Sequence, residues 1–114
     1  MIALRLVFKK VKSTLVVTME GELDHHNAVT VREDIDRRFI SSGAKNLVFN
    51  LEKLQFMDSS GLGILIGRYK TVSAIGGKTI IVAPTPQAKR LIGLAGIHKI
   101  IPVYGNLERA VNEI

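Results

Sequence analysis

Cysteine is absent from the 114 residues of this sequence, and aromatic residues make up only 5% of it. The first absence excludes a disulfide framework and a thiolate site, and it fits a reducing compartment. The second leaves few side chains for stacking against nucleic-acid bases. No apolar run is long enough to span a bilayer, and the N-terminus lacks the apolar core of a signal peptide. We therefore expect a cytoplasmic protein with no membrane span.

The charged residues are unevenly balanced, with 16 lysines and arginines against 10 acidic residues and a formal net charge of +6. An excess of this sign makes nucleic acid a candidate partner. The cations are nevertheless scattered along the chain and form no long basic run. We expect a generally basic surface without direct contact to nucleic acid. A basic nucleic-acid-binding module is the alternative.

Hydrophobic residues account for 46% of the chain, which is enough for a packed core and too much for a disordered chain. The length is that of one domain, and no linker, repeat or low-complexity segment interrupts it. We expect residues 1–114 to form a single domain.

Apolar periodicity predicts the element order β-β-α-β-α-β-α-β-α. Alternation at Ile2, Leu4, Leu6 and Phe8 indicates a half-buried first strand, which is expected to pair as a hairpin with residues 15–19. An opening hairpin followed by βα units predicts an α/β fold. We expect a mixed sheet of four or five strands packed with about four helices.

The later strands differ in their expected burial. Residues 47–51 are almost continuously apolar, as expected of a strand covered on both sides. Leu54 and Phe56 are expected to fold inward from the loop that follows. Residues 100–103 are expected to form a short strand at a sheet edge, because Pro102 cannot donate a hydrogen bond to a neighbouring strand.

The helices are predicted from caps, breakers and apolar spacing. Asp24 is expected to cap a first helix that ends at Gly43, with a buried stripe spaced three or four residues apart. That stripe consists of Ala28, Val31, Ile35 and Phe39. The second helix is expected over residues 60–74, and Thr85 and Asn106 are expected to cap the third and fourth.

Two glycines interrupt the second predicted helix. Gly63 and Gly67 lie four residues apart and so share one face of it. Each costs about 1 kcal/mol of helix propensity relative to alanine. The compensation we expect is close approach of the helix to the sheet or to a partner.

Parallel pairing of the second and third strands would bring their carboxyl ends to one edge, the usual site edge of open α/β sheets. The loops over residues 21–24 and 52–59 would then lie side by side. Five carboxylates fall in or beside these loops: Glu20, Glu22, Asp24, Glu52 and Asp58. A locally acidic edge on a basic protein favours partner recognition, because complementary charge steers encounter.

Residues 56–63, with the sequence FMDSSGLG, connect the third strand to the second helix. Asp58, Ser59 and Ser60 offer side-chain oxygens to the unpaired N–H groups of the first helical turn. Taken alone, this triplet favours a helix cap.

The wider sequence resembles the anti-sigma factor antagonists, small bacterial proteins built as a single STAS domain. The resemblance lies in residues 21–26 (GELDHH), 56–63, 67–70 (GRYK) and 99–101 (KII), which occur in the family's order. It is most specific for the antagonists encoded with a sporulation sigma factor. A STAS component of a stress-response signalling complex is the alternative within the family.

The resemblance implies a phosphorylatable protein–protein switch and not an enzyme. Ser59 is the serine that the anti-sigma factor, itself a serine kinase, would phosphorylate. The unmodified form would bind that anti-sigma factor and release the sporulation sigma factor. The phosphorylated form would not bind, and a serine phosphatase would reverse the modification. The partner-binding residues are expected to be Glu22, Asp24, Asp58, Ser59, Ser60, Gly61, Leu62 and Ile66.

The candidate residues do not have the spacing or order that the enzymatic alternatives require. A hydrolase elbow needs glycine two residues before Ser59, where Met57 stands. Residues 76–79 (GGKT) run from helix to strand, the reverse of the order in a phosphate-binding loop. The adjacent His25 and His26 would point about 100° apart on a helix, and such pairs rarely share a metal ion. We therefore expect no catalytic residue, cofactor or metal.

Overall fold

The computed structural model describes residues 3–114, so the expectation for Ile2 lies outside the described residues. Within this range the chain forms six strands, four α-helices and one short 3-10 helix. In chain order these are β1 (Arg5–Val11), β2 (Thr14–Leu23), α1 (Ala28–Ser42), β3 (Asn46–Asn50), β4 (Leu54–Met57), α2 (Ser59–Ala74), β5 (Thr79–Val82), α3 (Pro86–Leu94), the 3-10 helix (Ile97–Lys99), β6 (Val103–Tyr104) and α4 (Leu107–Glu113). None of these helices has both the length and the apolar character needed to cross a membrane.

The strands form one mixed sheet. Five of them follow the order β1-β2-β3-β5-β6, and β4 stands outside this order and pairs with β2. The pair β1–β2 is antiparallel, whereas the β2–β3, β2–β4, β3–β5 and β5–β6 pairs are parallel. The predicted α/β fold, its opening hairpin and its four helices are thus confirmed. The sheet has one strand more than predicted, because residues 54–57 form a strand where a loop was expected.

The sheet is covered on both faces, and β3 shows this most clearly. Leu47 and Phe49 belong to the larger core, which is covered by α1, α2 and α3. Val48, which points to the opposite face, belongs to a smaller core covered by α4 around Ala110. All three β3 side chains are at most 1% exposed, which confirms the prediction of a strand buried on both sides.

Three of the predicted helix boundaries are confirmed by the backbone. Gly43 ends α1 with φ of 71°, a left-handed conformation that glycine adopts without steric cost. Thr85 stands at the N-cap of α3, directly before a proline in the first turn. Asn106 caps α4, since its Oδ1 accepts the N–H of Arg109 at 3.0 Å.

Other sequence-based expectations are wrong. Asp24 does not cap α1, because residues 24–27 form a turn and the helix begins at Ala28 after Asn27. Phe56 is 41% exposed instead of folding inward, although Leu54 is fully buried as expected. The last strand is shifted, because the 3-10 helix occupies residues 97–99. The strand nevertheless lies at the sheet edge, as predicted.

Helices α1 and α2 are joined by an ion pair between a largely buried arginine and a partly exposed aspartate. Arg68 Nε lies 2.8 Å from Asp36 Oδ1, and only 11% of the Arg68 side chain is exposed. Neither Arg68 Nε nor Nη1 makes a well-aligned hydrogen bond within residues 3–114, so the contact is mainly Coulombic. Burial lowers the pKa of Arg68, the Asp36 carboxylate opposes that shift, and Arg32 adds to it. The pair holds α2 against α1.

Candidate functional site

The site is built where β2 and β4 end together. The first half of β2, residues 14–18, pairs with β3, and its last residues pair with β4. The register shifts between Gly21 and Glu22, and Gly21 has φ of 115°. Gly21 therefore bends β2, which continues to Leu23, beyond the predicted residues 15–19. The bend redirects the strand toward β4.

The two loops predicted to lie side by side do so. The Asp58 N–H donates to the Leu23 carbonyl at 3.2 Å, and the His25 N–H donates to Asp58 Oδ2 at 3.1 Å. These bonds join segments that are 33 residues or more apart in the chain. The parallel arrangement of the strands thus brings Asp24 and its neighbours to the start of α2.

Asp58 is the residue that caps α2. Its backbone is extended, and its Oδ1 accepts the Ser60 N–H at 2.8 Å. Burial raises the pKa of Asp58, but hydrogen bonds from the N–H groups of Ser60 and His25 outweigh that effect, and the net pKa lies below its usual range. The predicted cap is confirmed, although α2 begins at Ser59, one residue earlier than expected.

We expect Asp58→Ala to lower the free energy of unfolding by about 1–2 kcal/mol, because the cap bond to Ser60 is lost. Asp58→Asn should cost much less at neutral pH, because an amide oxygen caps almost as well. The lowered pKa means that the charge of Asp58 stabilises the fold above the usual carboxyl pKa. This contribution is lost as pH falls through the lowered value.

Thermal unfolding of the parent and both variants, from neutral pH into acid, measures these effects. The difference in melting temperature between the parent and Asp58→Asn should shrink as the pH falls. An Asp58→Ala protein as stable as the parent at neutral pH would show that the cap contributes nothing.

The two serines that follow the cap differ in exposure. Ser59 is exposed in the first turn of α2, whereas Ser60 is half-buried. The Ser60 N–H donates to Asp58 Oδ1 at 2.8 Å, and the Ser60 side chain also contributes to lowering the pKa of that carboxyl. Of the two hydroxyls, that of Ser59 is the more accessible to an enzyme.

The histidines of the neighbouring loop face carboxylates and not the serine. His25 Nδ1 lies 3.5 Å from Asp58 Oδ2, and His26 Nδ1 lies 3.6 Å from Asp24 Oδ1. Both imidazoles are at least 70% exposed. Asp24 Oδ1 also accepts the His26 N–H at 2.9 Å, which stabilises the turn before α1.

The predicted partner-binding residues of α2 are only partly available at the surface. Gly61 is buried, and a Cβ there would lie 3.0 Å from Met57 Sδ and 3.2 Å from Leu23 Cδ2. Gly61 allows α2 to pack closely on β2 and β4, and its expected part in partner binding stays a prediction. Leu62 and Ile66 are half-buried against the larger core, so each can offer only part of its surface.

The glycines expected to approach the sheet do not approach it. A Cβ at Gly63 or Gly67 would meet no atom within 4 Å. Both residues share with Ser59 a helix face that is open to the surroundings. Close packing on the sheet is thus excluded as the reason for these glycines, and the alternative of a partner remains a prediction.

Two residues lie near the site although the sequence did not assign them to it. Phe56 lies on β4 directly opposite Glu22, so the two side chains share one face of the sheet. Gln87, at the start of α3, hydrogen-bonds to the backbone of Met57, 30 residues earlier in the chain. Nothing in the local pattern around Gln87 indicates such a distant contact.

The family comparison covers almost all of the chain. Residues 5–110 match the family model described as the STAS domain. The chain therefore belongs to the STAS domain family.

Individual relatives narrow this assignment to the anti-sigma factor antagonists. The chain is 39% identical over 103 residues to the anti-sigma F factor antagonist of Paenibacillus polymyxa, covering 90% of this chain and 88% of that protein. The unphosphorylated form of the anti-sigma factor antagonist SpoIIAA superimposes with a TM-score of 0.82 at 30% identity, covering 97% of this chain and 95% of that one. The phosphorylated form of the Bacillus SpoIIAA gives a TM-score of 0.74 at 30% identity, with 97% and 98% covered.

Proposed function

We propose that this protein is an anti-sigma factor antagonist that phosphorylation on Ser59 switches off. The unmodified form binds an anti-sigma factor that is also a serine kinase, and a sporulation sigma factor is thereby released. The phosphorylated form does not bind, and a serine phosphatase restores the unmodified form. The protein acts in the cytoplasm and has no enzymatic activity of its own. The observation that best supports this proposal is the exposed Ser59 directly after the capping Asp58.

A phosphate on Ser59 is compatible with the fold. Ser59 lies in the first turn of α2, where backbone N–H groups lack helical partners and the helix dipole favours negative charge. In that turn the Ser60 N–H donates to Asp58 Oδ1 at 2.8 Å and the Gly61 N–H donates to the Asp58 carbonyl at 3.0 Å, so a phosphate on Ser59 would be favoured mainly by the positive end of the helix dipole. The modification can therefore act at the surface without unfolding the helix.

The same phosphate would disfavour binding of a partner. It adds about −1.5 to −2 charges at pH 7 to an edge that already contains Asp58, Asp24 and Glu22. A partner surface that fits a neutral hydroxyl would have to bury this charge without a counterion or separate from it. Charge and size at the contact are enough to switch binding, so no change of fold is required.

The proposed partner surface follows from the exposure of the predicted residues. Glu22, Asp24, Asp58 and Ser60 are half-buried, and Ser59 is exposed. The exposed parts of Leu62 and Ile66 add apolar area beside Ser59, and Gly61 contributes by letting the helix pack closely.

We expect Asp24→Lys to weaken binding of the anti-sigma factor by about tenfold or more, because it reverses one charge at the centre of the acidic edge. The cost in stability should be about 1 kcal/mol, since the variant loses the hydrogen bond from the His26 N–H and the contact of Asp24 Oδ1 with the exposed His26 imidazole. Titration calorimetry and thermal unfolding measure the two effects separately.

Glu108→Lys is the matched control, because Glu108 is exposed on α4, which covers the opposite face of the sheet. It should bind as the parent does. If Asp24→Lys bound with the affinity of the parent but melted at a much lower temperature, Asp24 would have only a structural role.

A pull-down with the tagged protein, followed by mass spectrometry of both partners and phosphosites, tests the proposal. We expect the unmodified protein to retain an anti-sigma factor with kinase sequence features, and the protein phosphorylated on Ser59 to lose it. Recovery of nucleic acid that disappears steeply as salt rises would instead support the nucleic-acid-binding alternative. The absence of both partner binding and phosphate on Ser59 would contradict the proposal.

A further inference from the structure

The outer edge of β4 is held by a side chain instead of another strand. Among the described residues β4 pairs only with β2, and the start of α3 lies along its other edge. Gln87 Oε1 accepts the Met57 N–H at 3.1 Å, and Gln87 Nε2 donates to the Met57 carbonyl at 2.8 Å. One side-chain amide thus satisfies both backbone groups of Met57, as a neighbouring strand would.

Thr85 supports the same edge at its other end. Its hydroxyl donates to the Leu54 carbonyl at 3.1 Å. Although Thr85 occupies the N-cap position of α3, its side chain makes no cap hydrogen bond to that helix. Two side chains at the start of α3 therefore hold the first and last residues of β4.

The contact with Gln87 orients the peptide that leads into the site. The Met57 carbonyl and the Asp58 N–H belong to one planar peptide unit. Gln87 holds the carbonyl, and the Leu23 carbonyl accepts the N–H at 3.2 Å. Both polar groups of this peptide are therefore fixed immediately before the capping Asp58 and the exposed Ser59.

We propose that Gln87 is a positioning residue that fixes the peptide between Met57 and Asp58 and thereby presents the Ser59 hydroxyl to the kinase. This inference rests on the proposed function. In the phosphoryl transfer, Ser59 Oγ bonds to the γ-phosphorus of ATP while the bond from that phosphorus to the oxygen of ADP breaks. ADP leaves with the electron pair, and the hydroxyl proton passes to a base of the kinase. Such a transfer depends on alignment, so a loosely held acceptor should react more slowly.

Three variants separate this role from a general effect on stability. Gln87→Met keeps the length of the side chain and removes both hydrogen bonds to Met57. Gln87→Glu can still accept the Met57 N–H, but it cannot donate to the Met57 carbonyl when ionised. Gln55→Met makes the same chemical change at an exposed position of β4 itself and serves as the control.

The first measurement needs no partner. Amide hydrogen exchange, followed by NMR on the isolated protein, should be about tenfold faster at Met57 in Gln87→Met than in the parent. The exchange rates at Asp58 and Ser60 should also rise, whereas Gln55→Met should leave all three unchanged. Parent-like exchange in Gln87→Met would overturn the inference, whatever the function of the protein.

The second measurement is the rate of Ser59 phosphorylation by the kinase-type anti-sigma factor of the same genome with ATP. For Gln87→Met we expect kcat to fall about fivefold or more and KM to stay within about twofold, because alignment and not docking is impaired. Gln87→Glu should be no faster than Gln87→Met. A lower melting temperature with parent-like kcat would show a merely structural role. If the parent itself takes up no phosphate on Ser59, the proposed function fails, and so does the role of Gln87 in presenting Ser59 to the kinase. The exchange rates then show whether Gln87 holds the peptide between Met57 and Asp58.

Discussion

Ser59→Ala should take up no phosphate from the anti-sigma kinase and should bind that partner at all times. Ser59 is the exposed hydroxyl of the pair, whereas Ser60 is half-buried beside the Asp58 carboxylate. Removing one exposed hydroxyl should leave the melting temperature close to that of the parent. Intact-mass measurement after incubation with kinase and ATP, followed by peptide mapping, determines the modified residue.

Ser59→Asp and Ser60→Ala complete this test. One carboxylate carries about half the charge of a phosphate, so Ser59→Asp should keep the fold and bind about tenfold more weakly. Ser60→Ala should still be phosphorylated on Ser59 and should lose at most about 1 kcal/mol of stability. Phosphate on Ser60 with Ser59 unmodified would overturn the assignment, and a Ser59→Asp protein that binds like the parent would overturn the charge mechanism.

Gly77→Ala should cause a large loss of stability. A Cβ at Gly77 would lie 1.8 Å from the Lys45 carbonyl oxygen and 2.8 Å from Val72 Cγ1. The first contact is with backbone, so no side-chain rotation can relieve it. The backbone between α2 and β5 is also restrained, because the Gly77 N–H donates to the Val72 carbonyl at 2.9 Å.

We expect Gly77→Ala to lower the free energy of unfolding by about 3 kcal/mol or more. For a domain of this size that corresponds to a fall of roughly 10–20 °C in melting temperature. Gly93→Ala is the control, because Gly93 lies in α3 and a Cβ there meets no atom within 4 Å. It should raise stability by up to about 1 kcal/mol. A melting temperature of Gly77→Ala within a few degrees of the parent would contradict the packing described here.

The sequence is a reliable guide where a short pattern has one physical solution. Gly43 and Asn106 mark helix ends because the left-handed backbone and the cap bond each favour a few residue types. The meeting of the loops around Asp24 and Asp58 could be predicted because parallel strands end at a common edge. In these cases the local chemistry and the topology lead to the same conclusion.

The sequence is a poor guide where a contact joins distant segments. Strand β4 has only four residues, and its two inner positions are exposed while its ends are buried, so it shows no period-two pattern. Its pairing with β2 follows a register shift at Gly21 that no local signal specifies. The roles of Gly61 and Gly63 were likewise indistinguishable in the sequence, although one is buried against Met57 and the other is open. Such differences depend on how α2 is placed on the sheet.

The most direct test of the proposed switch is titration calorimetry of the kinase-type anti-sigma factor against two forms of this protein. One form is unmodified, and the other is stoichiometrically phosphorylated on Ser59, as verified by peptide mapping. We predict saturable binding of the unmodified form and affinity lower by about a hundredfold or more for the phosphorylated form, because a partner surface that fits the Ser59 hydroxyl would have to bury the phosphate charge without a counterion. Equal affinity of the two forms would contradict the proposed switch.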